Sequence, residues 1–529
     1  MIWGNPDPRA PEAHPLSDIA TIPRITRTLL DGVTGSEVAI TTTAPATGRP
    51  LSTIPQSNVA DVEEAFKYAR AAQGPWAATP AVDRARIFLH AHGLMTKRQD
   101  EILDLIQLET GKGRLHAYEE FLDGTGSTLY YARKAPGLLR PHRRGGAFPV
   151  FTQTRELQHP RGVVTTISPW NYPFALSMDV VPALLAGNAV VHKPDNQTPL
   201  SSIWARSLLV ESGMPQEVWQ VVLGDPAVIG DALIDQADFV AFTGSTPAGK
   251  AIATRAAQSM TASSLELGGK NPMLVLADAD IPKTADMAVR ACFANAGQLC
   301  VSIERIYVDR SRYDEFVREF SERVSALRLT TGLDYSGDVG SLTSDKQLQR
   351  TSGHVADALA RGARVVAGGK PRPDIGPLFF EPTVLIDVPA DAPVLHDETF
   401  GPLVSVLPFD SEDEAVALAN ATPYGLNASV FSRNVRHARE IGARIEAGTV
   451  NINEGYASAY ASHDAPMGGR KQSGMGRRHG SAGILKYTES QTISSQHVIG
   501  FDPSHGMSAD VHVKFLNSTL RVLKTLKVR

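Results

Sequence analysis

Two cysteines stand in a chain of 529 residues, and Cys300 closes the stretch Phe293-Ala294-Asn295-Ala296-Gly297-Gln298-Leu299-Cys300. Apolar spacing from Thr284 to Asn295 predicts an amphipathic helix, which Gly297, tolerant of positive φ, would end. Cys300 then lies just outside regular structure, where a side chain can meet a small molecule. A thiol is a nucleophile only as thiolate, which needs a helix end, a cation or a base nearby. Taken alone, Cys300 is open between nucleophile and small buried hydrophobe; Cys292, inside the helix, reads as the latter. Glu266-Leu267-Gly268-Gly269-Lys270 sets a carboxylate before two glycines at a probable sheet end. A partly buried carboxyl with raised pKa would activate water there, and a surface glutamate before a turn is the plainer alternative. Asn171 sits in Ser168-Pro169-Trp170-Asn171-Tyr172-Pro173, a proline-fixed turn from which its amide could donate to a developing oxyanion.

Three more motifs suit a dinucleotide. Phe242-Thr243-Gly244-Ser245-Thr246-Pro247-Ala248-Gly249-Lys250 reads as strand, turn and a helix from about Pro247, whose N-terminus and Ser245 hydroxyl fit a pyrophosphate. It is not the G-x-G-x-x-G fingerprint, and a plain strand-to-helix turn would look similar. His192-Lys193-Pro194-Asp195-Asn196 ends another strand; Lys193 and Asn196 could hold ribose hydroxyls or a phosphate, or belong to a solvated loop. Glu398-Thr399-Phe400-Gly401-Pro402 places a carboxylate and a ring two residues apart, facing one ligand if the segment is extended.

The elements that would position these groups alternate. Helices are expected over Val59–Trp76 (broken at Gly74-Pro75), Pro80–Lys97 and Glu101–Glu109, ending at Gly111. Phe148–Glu156 alternates as a β-ribbon. From Gly162 short apolar strands (Gly162–Ile167, Ala189–His192, Val218–Val222, Phe239–Phe242) alternate with helices, which means a parallel, doubly wound sheet with ligands at its carboxyl ends. After Cys300 a second α/β unit follows, then a β-segment Lys486–Ser495. Val513–Val528 reads as a basic amphipathic helix, which suits a membrane surface or, the plainer reading, packing on the protein's own body.

Length implies two or more domains. A formal net charge of −4 gives no sign of nucleic-acid binding, and no apolar run approaches a membrane span. Few cysteines point to a reducing compartment, and the proline-rich start resembles neither a signal nor a transit peptide, so a cytoplasmic protein is expected. No metal is expected.

Together and in order, the PWN turn, FTGS-T-x-x-G, ELGGK, F-x-N-x-G-Q-x-C, E-x-F-G-P, N-x-N and P-x-G-G-x-K-x-S-G (Pro466 to Gly474) resemble the NAD(P)-dependent aldehyde dehydrogenase superfamily over about Ala44 to Gln496. The resemblance implies Cys300 as nucleophile, Glu266 as base, and Asn171 with the Cys300 N–H as oxyanion hole. It assigns NADP or NAD to Trp170, Lys193, Asn196, Gly244, Ser245, Gly249, Glu398 and Phe400. It implies a Rossmann-like doubly wound cofactor domain (26–141 and 162–290), an α/β catalytic domain (291–485) and a small β oligomerisation element (142–161 and 486–499), with extensions at 1–25 and 500–529. A homodimer or homotetramer acting on a small aldehyde follows.

Asn453-Glu454-Gly455 with Ser458, and Lys193-Pro194 with Gln197-Thr198-Pro199, resemble the succinate-semialdehyde dehydrogenase branch; Ser458 and Tyr172 are its substrate candidates. Arginines common in that branch are replaced here by Ala294 and about Asp179, and Arg470 or His463 could compensate. Another aliphatic or aromatic aldehyde is the alternative; a CoA-acylating enzyme would lack Glu266, and an idle binding protein would not keep the set intact. Asn196, where many NAD-preferring members carry Glu, predicts that NADP is tolerated. Ser302, two residues past Cys300, predicts no disulfide switch.

Overall fold

The computed structural model describes residues 33, 35–36, 38–148, 151–497, 500–503 and 506–525. The extension expected over 1–25 lies outside them. Two large sheets organise the rest. The first has the spatial order Gly474–Met475, Ala262–Glu266, Phe239–Thr243, Val163–Ile167, Ala189–Lys193, Trp219–Val221. Its last five strands are parallel, with Val164 opposite Phe239 and Val163 opposite Ala189. Their near-continuous burial explains the unbroken apolar runs, since helices cover both faces.

The second sheet runs Arg364–Ala367, Thr383–Ile386, Leu403–Phe409, Ile303–Asp309, Asn271–Val275, Asn427–Phe431, Thr449–Ile452, parallel except for its first strand. Asn271–Val275 therefore goes with this sheet, ahead of the boundary expected at 290. In return Gly474–Met475, from the second half of the chain, pairs antiparallel with Ala262–Glu266. A separate antiparallel ribbon joins Thr488–Gln496, Thr152–Pro160 and His142–Arg144.

Several elements differ from expectation. Pro75 does not break the first helix, which runs Val59–Ala78. The segment after the PWN turn is two short helices, Pro173–Ser177 and Val180–Leu185. A 25-residue helix, Arg114–Leu138, has no counterpart in the pattern because its buried side carries Glu120, Asp123, Thr125 and Thr128. The tail helix, Ala509–Thr525, does not pack on the body as expected: Val511, Val513, Phe515, Leu520 and Val522 are exposed. His512 is its one buried side chain among the described residues, bonded through Nε2 to the Gly500 carbonyl at 3.1 Å.

Candidate active site

The helix before Cys300 stops at Phe293, short of the expected Gly297. Asn295, Ala296 and Gly297 follow with φ of 50°, 52° and 71°, three successive residues in the left-handed region. Two non-glycine residues held there store strain that only dense surroundings can maintain. Those surroundings are visible. Asn295 is fully buried, and its Nδ2 donates to the carbonyls of Asn171 (3.1 Å) and Gln298 (3.0 Å). A Cβ on Gly297 would come within 2.1 Å of the Gly401 carbonyl oxygen, so only glycine lets the loop pass. Beyond Cys300, Asn271 Nδ2 donates to the Cys300 and Ser302 carbonyls at 2.8 and 2.7 Å.

Asn171 is fixed from behind by a buried ion pair. Lys112 Nζ donates to Glu120 Oε2 (2.5 Å) and to the Asn171 carbonyl (2.7 Å), and lies 3.8 Å from the Tyr172 ring centroid. Glu120 Oε1 takes the N–H groups of Phe174 and Ala175 (2.6 and 3.2 Å). The Asn171 amide itself donates to the Gln298 carbonyl at 3.0 Å, tying the PWN turn to the cysteine loop.

A cleft of about 930 Å³ opens at the carboxyl ends of the first sheet's strands. Cys300, Glu266, Asn171, Trp170, Lys193, Gly244, Ser245, Glu398 and Phe400 all line it. Lys193 Nζ is buried and bonded to its neighbour Pro194's carbonyl at 3.2 Å. The helix Thr246–Gln258 starts at Ser245 with no side-chain cap, so its first N–H groups face the cleft mouth unclaimed by a side chain. Glu398 Oε1 accepts from the Gly269 N–H at 2.9 Å, and Phe400 stands edge-on to Trp170 with centroids 5.4 Å apart. A buried lysine, a bare helix N-terminus and a carboxylate at the far end fit a dinucleotide.

Asn196, Gly249, Ser458 and Tyr172 are not among the lining residues. Asn196 is engaged elsewhere, donating to Gln56 Oε1 (3.2 Å) and accepting from the Gly224 N–H (3.1 Å), while its neighbour Asp195 lines the cleft. Gly249 packs against Leu267 in the helix's first turns. The Ser458 hydroxyl is taken by Asn451 Oδ1 at 2.8 Å. Tyr172 belongs to the packed group of Leu176, Leu299, Val301, Tyr456, Tyr460 and Met467 against which Cys300 sits.

Burial dominates the electrostatics. It pushes the Cys300 thiol up to about 12, with Arg478 pulling the other way. It raises Glu266 to about 7 against the opposing pull of Lys486 and Arg478. Glu266 Oε1 has no hydrogen-bond partner, and a Cβ at Gly468 would crowd it at 3.0 Å. A thiol that holds its proton and a carboxyl that half-ionises near neutrality, in one cleft, are suited to covalent acyl chemistry with base assistance.

Sequence reasoning missed the buried cation of this region. Arg478 Nη2 bonds Asp179 Oδ1 at 2.9 Å and lies 3.9 Å from Asp123 Oδ2. Arg470 is exposed, and His463 faces Asp123. The signal was available one step past the P-x-G-G-x-K-x-S-G motif, in Arg477-Arg478-His479. Ser302 donates to the Ala291 and Cys292 carbonyls, and Cys292 is buried.

A model of the aldehyde dehydrogenase family matches residues 33–493. A Mycolicibacterium smegmatis protein named "Putative succinate-semialdehyde dehydrogenase [NADP(+)]" is 49% identical over 484 residues, 91% of this chain and 94% of its own. A Pseudomonas putida 3-sulfolactaldehyde dehydrogenase is 37% identical over 84% of this chain and 91% of its own. Among solved structures, a Mycobacterium tuberculosis aldehyde dehydrogenase complexed with NAD+ is 35% identical with a TM-score of 0.82, over 87% of this chain and 95% of its own.

Proposed function

The chain belongs to the aldehyde dehydrogenase family, and from that premise we propose that it oxidises a short aldehyde bearing a distal anionic group, with succinate semialdehyde the foremost substrate, to the carboxylate. The observation that carries this reading is one cleft lined by Cys300, Glu266 and Asn171 together with Lys193, Ser245, Glu398 and Phe400. The Cys300 thiol passes its proton to water in the open cleft as its sulfur attacks the aldehyde carbon. The Asn171 amide and the Cys300 N–H stabilise the alkoxide. When bound, the dinucleotide supplies the hydride acceptor. Cys300 then carries the acyl group as a thioester. Glu266 takes a proton from water, whose oxygen attacks the acyl carbon, and the sulfur leaves as thiolate. With its carboxyl raised to about 7, Glu266 can both accept and return a proton near neutral pH. A CoA-acylating course would have no use for this base.

Arg478 is shared between Asp179 and Asp123, so it is no free cation. The buried hydroxyl of Tyr172, without a partner in the packed group beside Cys300, is the donor we assign to the substrate's anionic end. Relatives named for a carboxylated and a sulfonated aldehyde support an anionic substrate class. The uncharged Asn196 and the NADP+ in the first relative's name favour NADP, with NAD accepted. The exposed strand Thr488–Gln496 is the edge we assign to a homodimer or homotetramer, and two free cysteines favour the reducing cytoplasm.

Assay of the purified enzyme with succinate semialdehyde, neutral aliphatic and aromatic aldehydes, and both cofactors tests the reading. NADP-dependent turnover without CoA, fastest for the semialdehyde, is expected. Faster turnover of neutral aldehydes would reassign the substrate.

A further inference from the structure

Behind Arg478, away from the cleft, three side chains from three separate segments converge. Asp123 comes from the long helix, His463 from the loop after the short helix Ala457–Tyr460, and His479 from the turn after Gly474–Met475. One ligand-type atom from each lies within 4.8 Å of the others, and His463 Nδ1 is 3.8 Å from Asp123 Oδ1. Asp123 and His479 are 3% and 1% exposed; both His479 nitrogens and His463 Nδ1 have no hydrogen-bond partner, and Asp123 meets only the Arg478 guanidinium, at 3.9 Å, and the Tyr460 hydroxyl. Buried polar atoms left unpaired are costly, and so many facing one point call for a common partner.

The backbone says the same. His479 has φ 63° and ψ 168°, a region that favours glycine, so its ring is held in place against local preference. His463 is seated equally closely: a side chain on Gly126 would come within 2.6 Å of its Nε2. Asp123 and Asp179 share the guanidinium of Arg478, which approaches Asp123 through Oδ2 and leaves Oδ1 to the histidines, while Lys486 also acts on Asp179.

We propose that Asp123, His463 and His479 form a binding site for a divalent transition-metal ion, with zinc the best match to one carboxylate and two imidazoles. The ion would tie the long helix to two segments from the end of the chain and satisfy the unpaired atoms. A small inward movement of the rings closes the ligand atoms to coordination distance. The role is structural, separate from the chemistry at Cys300.

The test uses full-length metal-free enzyme in a Cys300→Ala background, which removes the catalytic thiol as a competing ligand, and titrates it with Co²⁺ and Zn²⁺. Expected are one equivalent bound, a Co²⁺ visible spectrum without thiolate charge-transfer bands, and a rise in Tm with Zn²⁺. His463→Ala, at the least buried of the three ligands, should weaken binding by more than the roughly 100-fold typical of losing an outer-shell partner. Asp123→Asn and His479→Ala should abolish the Tm rise, with dinucleotide binding reporting that each variant is folded. Absence of binding in the Cys300→Ala protein, or binding untouched by His463→Ala, overturns the site.

Discussion

The two sides of Cys300 are built differently. Toward the cofactor cleft, several side chains are already held in place: Lys193 by a carbonyl, Glu398 by the Gly269 N–H, Asn171 by Gln298 and, through its own carbonyl, by Lys112. Toward the aromatic side, the buried Tyr172 hydroxyl, in the packed group against which Cys300 sits, lacks a partner. The first side is pre-organised for a large ligand. The second holds its hydrogen-bonding capacity in reserve, and that reserve is where one aldehyde is told from another.

The sharpest way to separate the two sides is to remove the sulfur between them. Cys300→Ala should lose turnover to the detection limit while dinucleotide binding, followed by fluorescence quenching, stays intact. Retained turnover would end the proposed mechanism. Glu266→Gln should lower steady-state turnover by about 10²–10⁴-fold with a burst of reduced cofactor retained, because acyl transfer to water is the step that needs the base. In the parent enzyme activity should rise with pH through about 7, where the buried carboxyl loses its proton, and the variant should lack that limb.

Lys112→Met tests the scaffold common to both sides. It strands buried Glu120 without a cation, so a loss of about 3–5 kcal/mol in unfolding free energy is expected from denaturant titration. Asn196→Glu should shift the NADP-to-NAD ratio of kcat/KM about tenfold toward NAD, the effect of one added charge near the cleft wall. Tyr172→Phe should raise KM for an anionic aldehyde severalfold and leave a neutral aldehyde of equal length unchanged, the worth of one hydrogen bond.

That same contrast explains what the sequence disclosed. Cofactor-side residues come in short motifs at strand ends, where a turn, a glycine and a polar group must be contiguous, so Lys193, Ser245 and Glu398 could be read locally. Four of the first sheet's six strands were visible for a related reason: buried on both faces, they are unbroken apolar runs, whereas Ala262–Glu266 and Gly474–Met475 are not and went unread. The aromatic side is assembled from residues hundreds of positions apart, and no local pattern couples Asp123 to His479. The helix Arg114–Leu138 escaped notice because it buries ions and hydroxyls, which erases the apolar stripe that periodicity detects. Strands Asn271–Val275, Thr383–Ile386 and Leu403–Phe409 went unread beside stronger neighbours. The left-handed run at Asn295 and Ala296 was invisible for another reason, since neither residue's propensity asks for it; tertiary bonds impose it.

Cys292 is sealed in the core and the position two past the nucleophile is Ser302. Oxidant reaching Cys300 therefore finds no neighbouring thiol to trap a sulfenic acid as an intrachain disulfide. Protection must come from outside, by glutathione capping, or the sulfur climbs to the sulfinic state and the molecule is spent. The same solitude makes the sulfur countable: an electrophile that labels exposed thiols on the native protein should attach once per chain, giving the concentration of intact sites directly.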